Sequence, residues 1–220
     1  TIDDKTPTAA EEIWDGIDAG TAGAEGLVGA AGNSGVWNYI NTFEGVTLNA
    51  AARNGSGTSN ADGASSANGQ SAWDFALTTD GSSLGMEGAQ IGGGYGKKEM
   101  GSGAEQKHMT AFVNYSFGMI TAGYQHSEIT GGQAAATDEI TDAWGISANV
   151  NDNLSISYGY REVEFDKSGS ADVTEDGEGI AVAYTMGSIK IAGNMNEVDN
   201  NDGTLNSQDS MTEIAVSFAF

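Results

Sequence analysis

The sequence predicts an all-β fold: an antiparallel, up-and-down barrel that crosses a membrane with strands rather than helices. Three observations predict it. Along the C-terminal stretch, Ile214, Val216, Phe218 and Phe220 fall on one face of a strand, and Glu213, Ala215, Ser217 and Ala219 on the other. That is a strict period of two, with one apolar and one small or polar face. The composition, with 33 Gly and one Pro in 220 residues, suits strands that face water on one side and turn often. No apolar run approaches the roughly 18 residues that a membrane helix needs. At a mean hydropathy of -0.30, any spanning must therefore be by strands.

The chain divides into a front piece, residues 1–34, and a repeating piece, residues 35–220. The front piece shows no alternation. Thr6 to Trp14 reads as one short helix, with Pro7 in its first turn and Thr8 and Glu11 at capping-box spacing. Acids crowd it at Asp3, Asp4, Glu11, Glu12, Asp15, Asp18 and Glu25, against the single Lys5. A disordered acidic leader is the plain alternative.

From residue 35 on, strands are expected near 35–43, 46–53, 70–79, 85–99, 107–116, 119–129, 138–150, 154–165, 174–186, 188–199 and 210–220. The links alternate. Tight ones fall at Glu44-Gly45, Asp80 to Leu84, Phe117-Gly118, Asn151-Asp152-Asn153 and Gly187, and longer ones lie between them. Alternating short and long connections are the pattern of an up-and-down membrane barrel.

Face assignment by parity puts Trp37, Leu48, Trp73, Phe75, Val113, Tyr124, Trp144, Ile146, Tyr160, Val182, Val216 and Phe218 toward lipid. Trp37, Trp73, Tyr95, Tyr124, Trp144 and Tyr160 fall toward one rim, and Phe43, Tyr115, Phe117, Tyr184, Phe218 and Phe220 toward the other. Two aromatic girdles result. The opposite parity gives a watered face with Asp74, His108, Asn114, Gln125, Ser157, Asn194 and Asn196. Arg53, Lys98, Arg161 and Lys190 join it, four of the eight basic residues. A soluble β-rich adhesin or surface-layer domain, with the apolar residues in a two-sheet core, is the rival reading.

With its terminal Phe220, its meander and its acidic front piece, the chain resembles the general-diffusion porins of Gram-negative bacteria, of marine alphaproteobacterial flavour. The resemblance implies a barrel of sixteen strands when complete, with about eleven here and five upstream of residue 1. It implies that residues 1–34 are a partly helical loop folded inward, from the constriction onward. Asp3, Asp4, Glu11, Glu12, Asp15 and Asp18 would then ring the narrowest point, facing Arg53, Lys98, Arg161 and Lys190 across it. The resemblance further implies a homotrimer in the outer membrane amid lipid and lipopolysaccharide, with Phe220 as a signal for the barrel-assembly machinery. Passive diffusion of small hydrophilic solutes and ions would be the activity, with no cofactor.

Charge and motifs agree with permeation rather than chemistry. A net charge of -23, from 31 acids and 8 bases, argues against nucleic acid as a partner and for a cation-preferring pore. Asp172, Glu175, Asp199 and Asp202 read as outer-loop charges at the rim. The two histidines, His108 and His126, have opposite facing, and no catalytic or metal set is expected. Asp199 to Gly203 is rich in carboxylates but misses the EF-hand spacing, because Val198 lies five residues before the Gly. Gly92 to Gly96 lacks the Lys-Ser/Thr of a phosphate loop.

Overall fold

A computed structural model describes residues 2, 4–10, 31, 36–55, 71–99, 104–131 and 137–219. They contain eleven strands: β1 Val36–Phe43, β2 Val46–Arg53, β3 Ala72–Asp80, β4 Ala89–Glu99, β5 Glu105–Phe117, β6 Ile120–Gly131, β7 Thr137–Asn151, β8 Leu154–Lys167, β9 Val173–Met186, β10 Ile189–Asp199 and β11 Gln208–Phe218. All belong to one sheet in strict chain order, each antiparallel to the next. A two-sheet sandwich is thereby ruled out. Among the described residues β1 and β11 pair with no further strand, so they form the two edges of the sheet.

Local chemistry fixes the register. The β1–β2 hairpin turns on Glu44 (φ 48°) and Gly45 (φ 83°). Two successive positive φ values give the turn whose twist matches paired strands. The largest departure from the expected boundaries is β4, which begins at Ala89 rather than residue 85. A 3-10 turn over Gly81–Leu84 ends on Gly85 in the left-handed region (φ 74°), and Gly88 is also left-handed (φ 84°). These glycines spend four residues on the turn. Pro7 to Ala10 are not helical, which departs from the expected helix over Thr6 to Trp14. Glu11 to Trp14 lie outside the described residues.

Burial is inverted relative to a soluble protein. Along β8, Ser157, Gly159 and Arg161 are buried, and Ile156 is exposed. Across the sheet Asp74, Thr110, Gln125, Ser127, Arg161, Glu175 and Asn196 are buried, while Trp37 (63% exposed), Trp73, Phe75, Leu77, Val113, Trp144, Ile146, Val182 and Ile214 (74%) stand out. A soluble chain rarely leaves so continuous an apolar face to water. In lipid the same face is the favourable one.

Candidate functional site

The exposed face is banded. Tyr124, Trp144 and Tyr160 occupy one register row across β6, β7 and β8, and Trp144 packs against Tyr158 and Tyr160 at centroid distances of 5.4 and 6.1 Å. On β3 and β4, Trp73 packs on Phe75 and Tyr95. Toward the long connections the row gives way to carboxylates that accept tyrosine hydroxyls: Asp142 from Tyr124, Glu178 from Tyr158 and Asp176 from Tyr160. His126 bonds Asp142 through Nδ1 at 2.8 Å and Glu128 through Nε2 at 3.2 Å. On this face Lys97 pairs with Glu105 at 2.8 Å.

The buried, polar face is crossed by the front piece. Ile2 packs with Ala76 of β3 and Phe112 of β5. The backbone N–H of Lys5 donates to Gln125 Oε1 at 2.7 Å, and its carbonyl accepts from Asn114 Nδ2 at 2.7 Å. Pro7 lies over β6 and β7, against Gly123 and Gly145. The Ala9 N–H donates to Ser157 Oγ of β8 at 2.9 Å. Residue 31 lies back at β3, where the Ala31 N–H donates to Asp74 Oδ2 at 2.8 Å. Ile2 and residues 4–9 thus run from β3 to β8 across the sheet, held largely by wall side chains that bond the backbone of Lys5 and Ala9, with the Thr8 and Ser157 hydroxyls 3.5 Å apart. Each such bond contributes about 0.5–1.5 kcal/mol net.

Of the expected site residues, Asp4 is described, and its carboxylate accepts from Thr6 N at 2.7 Å and Thr6 Oγ1 at 2.9 Å. It braces the turn that enters Pro7. Asp3, Glu11, Glu12, Asp15, Asp18 and Phe220 lie outside the described residues. Arg53, Lys98, Arg161 and Lys190 are all on the polar face, but not together. Arg53 and Lys98 flank Ala72 in one row at the end of β2–β4 bearing the long connections. Lys190 is exposed at the opposite end, beside the β9–β10 turn.

Arg161 is buried (1% exposed) and its Nη2 donates to Glu175 Oε1 at 2.7 Å, with Glu175 at 0%. Glu175 is therefore no rim charge, contrary to its expected place; it belongs to β9 and faces inward. Its second oxygen accepts the Asp202 N–H at 2.8 Å. Asn200 Nδ2 donates to the Thr174 carbonyl at 2.8 Å, Lys167 Nζ donates to the Gly203 carbonyl, and Gly203 abuts the Phe165 ring. The β10–β11 connection is thereby fastened down onto the polar face. Among the described residues no group of three or more His, Cys, Asp or Glu is arranged to hold a metal ion.

An antiparallel meander with an apolar exposed face, aromatic rows and a polar face crossed by its own chain defines the wall of a membrane β-barrel. The chain belongs to the Gram-negative porin family, whose pattern it matches over residues 1–220, and its place is the outer membrane. Among solved structures it is similar to an anion-selective porin from Comamonas acidovorans: TM-score 0.68, 12% identity, covering 89% of this chain and 65% of that one. It is also similar to outer-membrane expressed OmpT of Vibrio cholerae: TM-score 0.67, 14% identity, 96% of this chain and 72% of that one. For the outer membrane channel DcaP of Acinetobacter baumannii the TM-score is 0.60, at 13% identity, with 84% and 61% covered. At such identities the likeness concerns the fold. The chain spans 61–72% of the length of these structures. No curated protein sequence matches it.

Proposed function

We propose that this chain forms most of the wall of a passive outer-membrane pore for small hydrophilic solutes and ions, and that the front piece, residues 1–34, is its constriction. The observation that carries the reading is the path of Ile2 and residues 4–9 across the polar face, bonded to Asn114, Gln125 and Ser157. A segment held against the watered side of a barrel wall occupies the path of a solute. The two edges that β1 and β11 form among the described residues would leave backbone groups unpaired in lipid, so we take the barrel to be closed by further strands, five for a porin of sixteen. One OmpT structure is of a trimer form. We extend that assembly to this protein as a homotrimer, set in lipid and lipopolysaccharide and inserted by the barrel-assembly machinery with Phe220 as signal.

The pore should prefer cations. Acids outnumber bases 31 to 8, and Arg161, a wall cation, already serves Glu175. Carboxylates in a narrow aqueous path lower the energy of a cation and raise that of an anion. Reversal potentials in planar bilayers under a salt gradient measure this, and anion preference would refute it. Converting Glu11, Glu12, Asp15 and Asp18 to amides should cut the cation preference sharply. The same change at Asp172 and Asp199 should do little, because exposed rim charge is screened within about 8 Å at physiological salt. Equal effects from both sets would remove the front piece from the pore.

A further inference from the structure

The segment that crosses the polar face does not rest on side chains where it bears hardest on the wall. Gly123 of β6 pairs in register with Gly145 of β7, Gly145 with Gly159 of β8, and Gly159 with Gly179 of β9. Four glycines thus stand in one row across four neighbouring strands, a trough without side chains about 15 Å long at the usual strand spacing. All four share the polar face with Gln125, Ser157 and Arg161, and Gly145, Gly159 and Gly179 are buried.

The single proline of the chain lies in this trough. A Cβ at Gly145 would come within 2.9 Å of the Pro7 carbonyl and 3.3 Å of its Cδ; one at Gly123 would come within 2.6 Å of Pro7 Cδ and collide with Asn114 Oδ1. The residue type fits the place. Proline has no N–H to satisfy, and a glycine floor offers no side-chain acceptor. The polar clamps stand on either side, Asn114 and Gln125 on Lys5, and Ser157 on Ala9. Asp4 and Thr6 stiffen the approach.

We infer that Gly123 and Gly145, in this glycine row, are a seat that sets how far the segment at Pro7 stands off the wall, and so sets the size of solute that passes. Gly123 and Gly145 are then positioning residues for size selection. The inference rests on the pore reading above. It predicts that filling the floor displaces the strap while leaving the barrel intact.

The chain has no cysteine, and the Thr8 and Ser157 hydroxyls lie 3.5 Å apart, so Thr8→Cys with Ser157→Cys reports seating. In the intact porin this pair should cross-link nearly completely on mild oxidation. Adding Gly145→Leu should cut the yield at least fivefold, and Gly145→Ala should cut it less. In liposome swelling without the cysteines, Gly145→Leu should change the ratio of disaccharide to pentose rates at least threefold, with the heat-dependent gel shift of a folded barrel retained. Should Gly145→Leu not fold, the Gly145→Ala variant carries the same two readouts. Cross-linking and rate ratio both unchanged in a folded variant would overturn the seat while the pore reading survives. An unmodified protein that passes no pentose would instead remove the pore reading itself.

Discussion

Replacing Glu175 by Leu should destabilise the folded barrel by about 3–5 kcal/mol, the cost of breaking a buried ion pair by removing one of its members. Arg161 would keep its charge at a site only 1% exposed, and the Asp202 N–H would lose its acceptor. Arg161→Met should cost a similar amount by stranding the carboxylate. The double replacement, Arg161→Met with Glu175→Met, should recover much of the loss, because two apolar side chains ask for no partner. Glu175→Gln should fall between wild type and Glu175→Leu, since an amide oxygen can still accept from Asp202. Urea midpoints followed by the gel shift read all four variants. If the double variant proves as unstable as the worse single one, the pair is not the structural unit described here. The β10–β11 connection should loosen together with the pair, since Glu175 is one of its fastenings.

How much of this was legible in the sequence depends on the range of the interaction. Period-two alternation is local, and so the strands, their order and the two faces could be read residue by residue; Trp144 and Ile146 stand out where parity put them. Turn chemistry was less complete. Asp80 to Leu84 was visible as a turn, but the left-handed Gly88 that delays β4 looked like the start of a strand. What pairs across strands depends on register, which alternation alone does not carry. The tight turn at Asn151-Asp152-Asn153 already implies that Gly145 faces Gly159, because the two are equidistant from Asp152. That one pair of the glycine row was therefore recoverable; Gly123–Gly145 and Gly159–Gly179 pair across the longer connections, where no tight turn sets the register. The Arg161–Glu175 pair was harder: it joins residues diagonal to one another across β8 and β9, with Val163 opposite Glu175 in the register. Glu175 lies close to the strand end, and a contact from the distant β10–β11 connection, the Asp202 N–H, helps to cover it. Nor could any local pattern show that wall side chains would clasp the backbone of Lys5 and Ala9. Such bonds leave no mark on the residue they hold.

Neighbouring residues in one strand should respond in opposite ways to the same charge. Ile146 and Ser147 are adjacent in β7; Ile146 is 42% exposed on the apolar face, opposite Ala122 and Tyr158, and Ser147 lies on the polar face, opposite Thr121 and Ser157. Ile146→Lys would set an ammonium among acyl chains inside the aromatic row, at a cost of about 2–4 kcal/mol near the bilayer midplane. Ser147→Lys would place the same ammonium on the polar, watered face, where its long stem can reach away from the wall. Folding into lipid vesicles, followed by protease protection and the gel shift, should fall severely for Ile146→Lys and stay near wild type for Ser147→Lys. In a soluble two-sheet protein the order would depend on packing alone, and dissolving in water without detergent would be unaffected by either. The charge should also act on permeation from one side only: a lysine at residue 147 adds a cation to the path and should reduce the cation preference, whereas one at 146, in whatever fraction folds, should leave it unchanged. Reversed tolerance, with Ile146→Lys accepted and Ser147→Lys rejected, would mean that the two faces have been assigned the wrong way round.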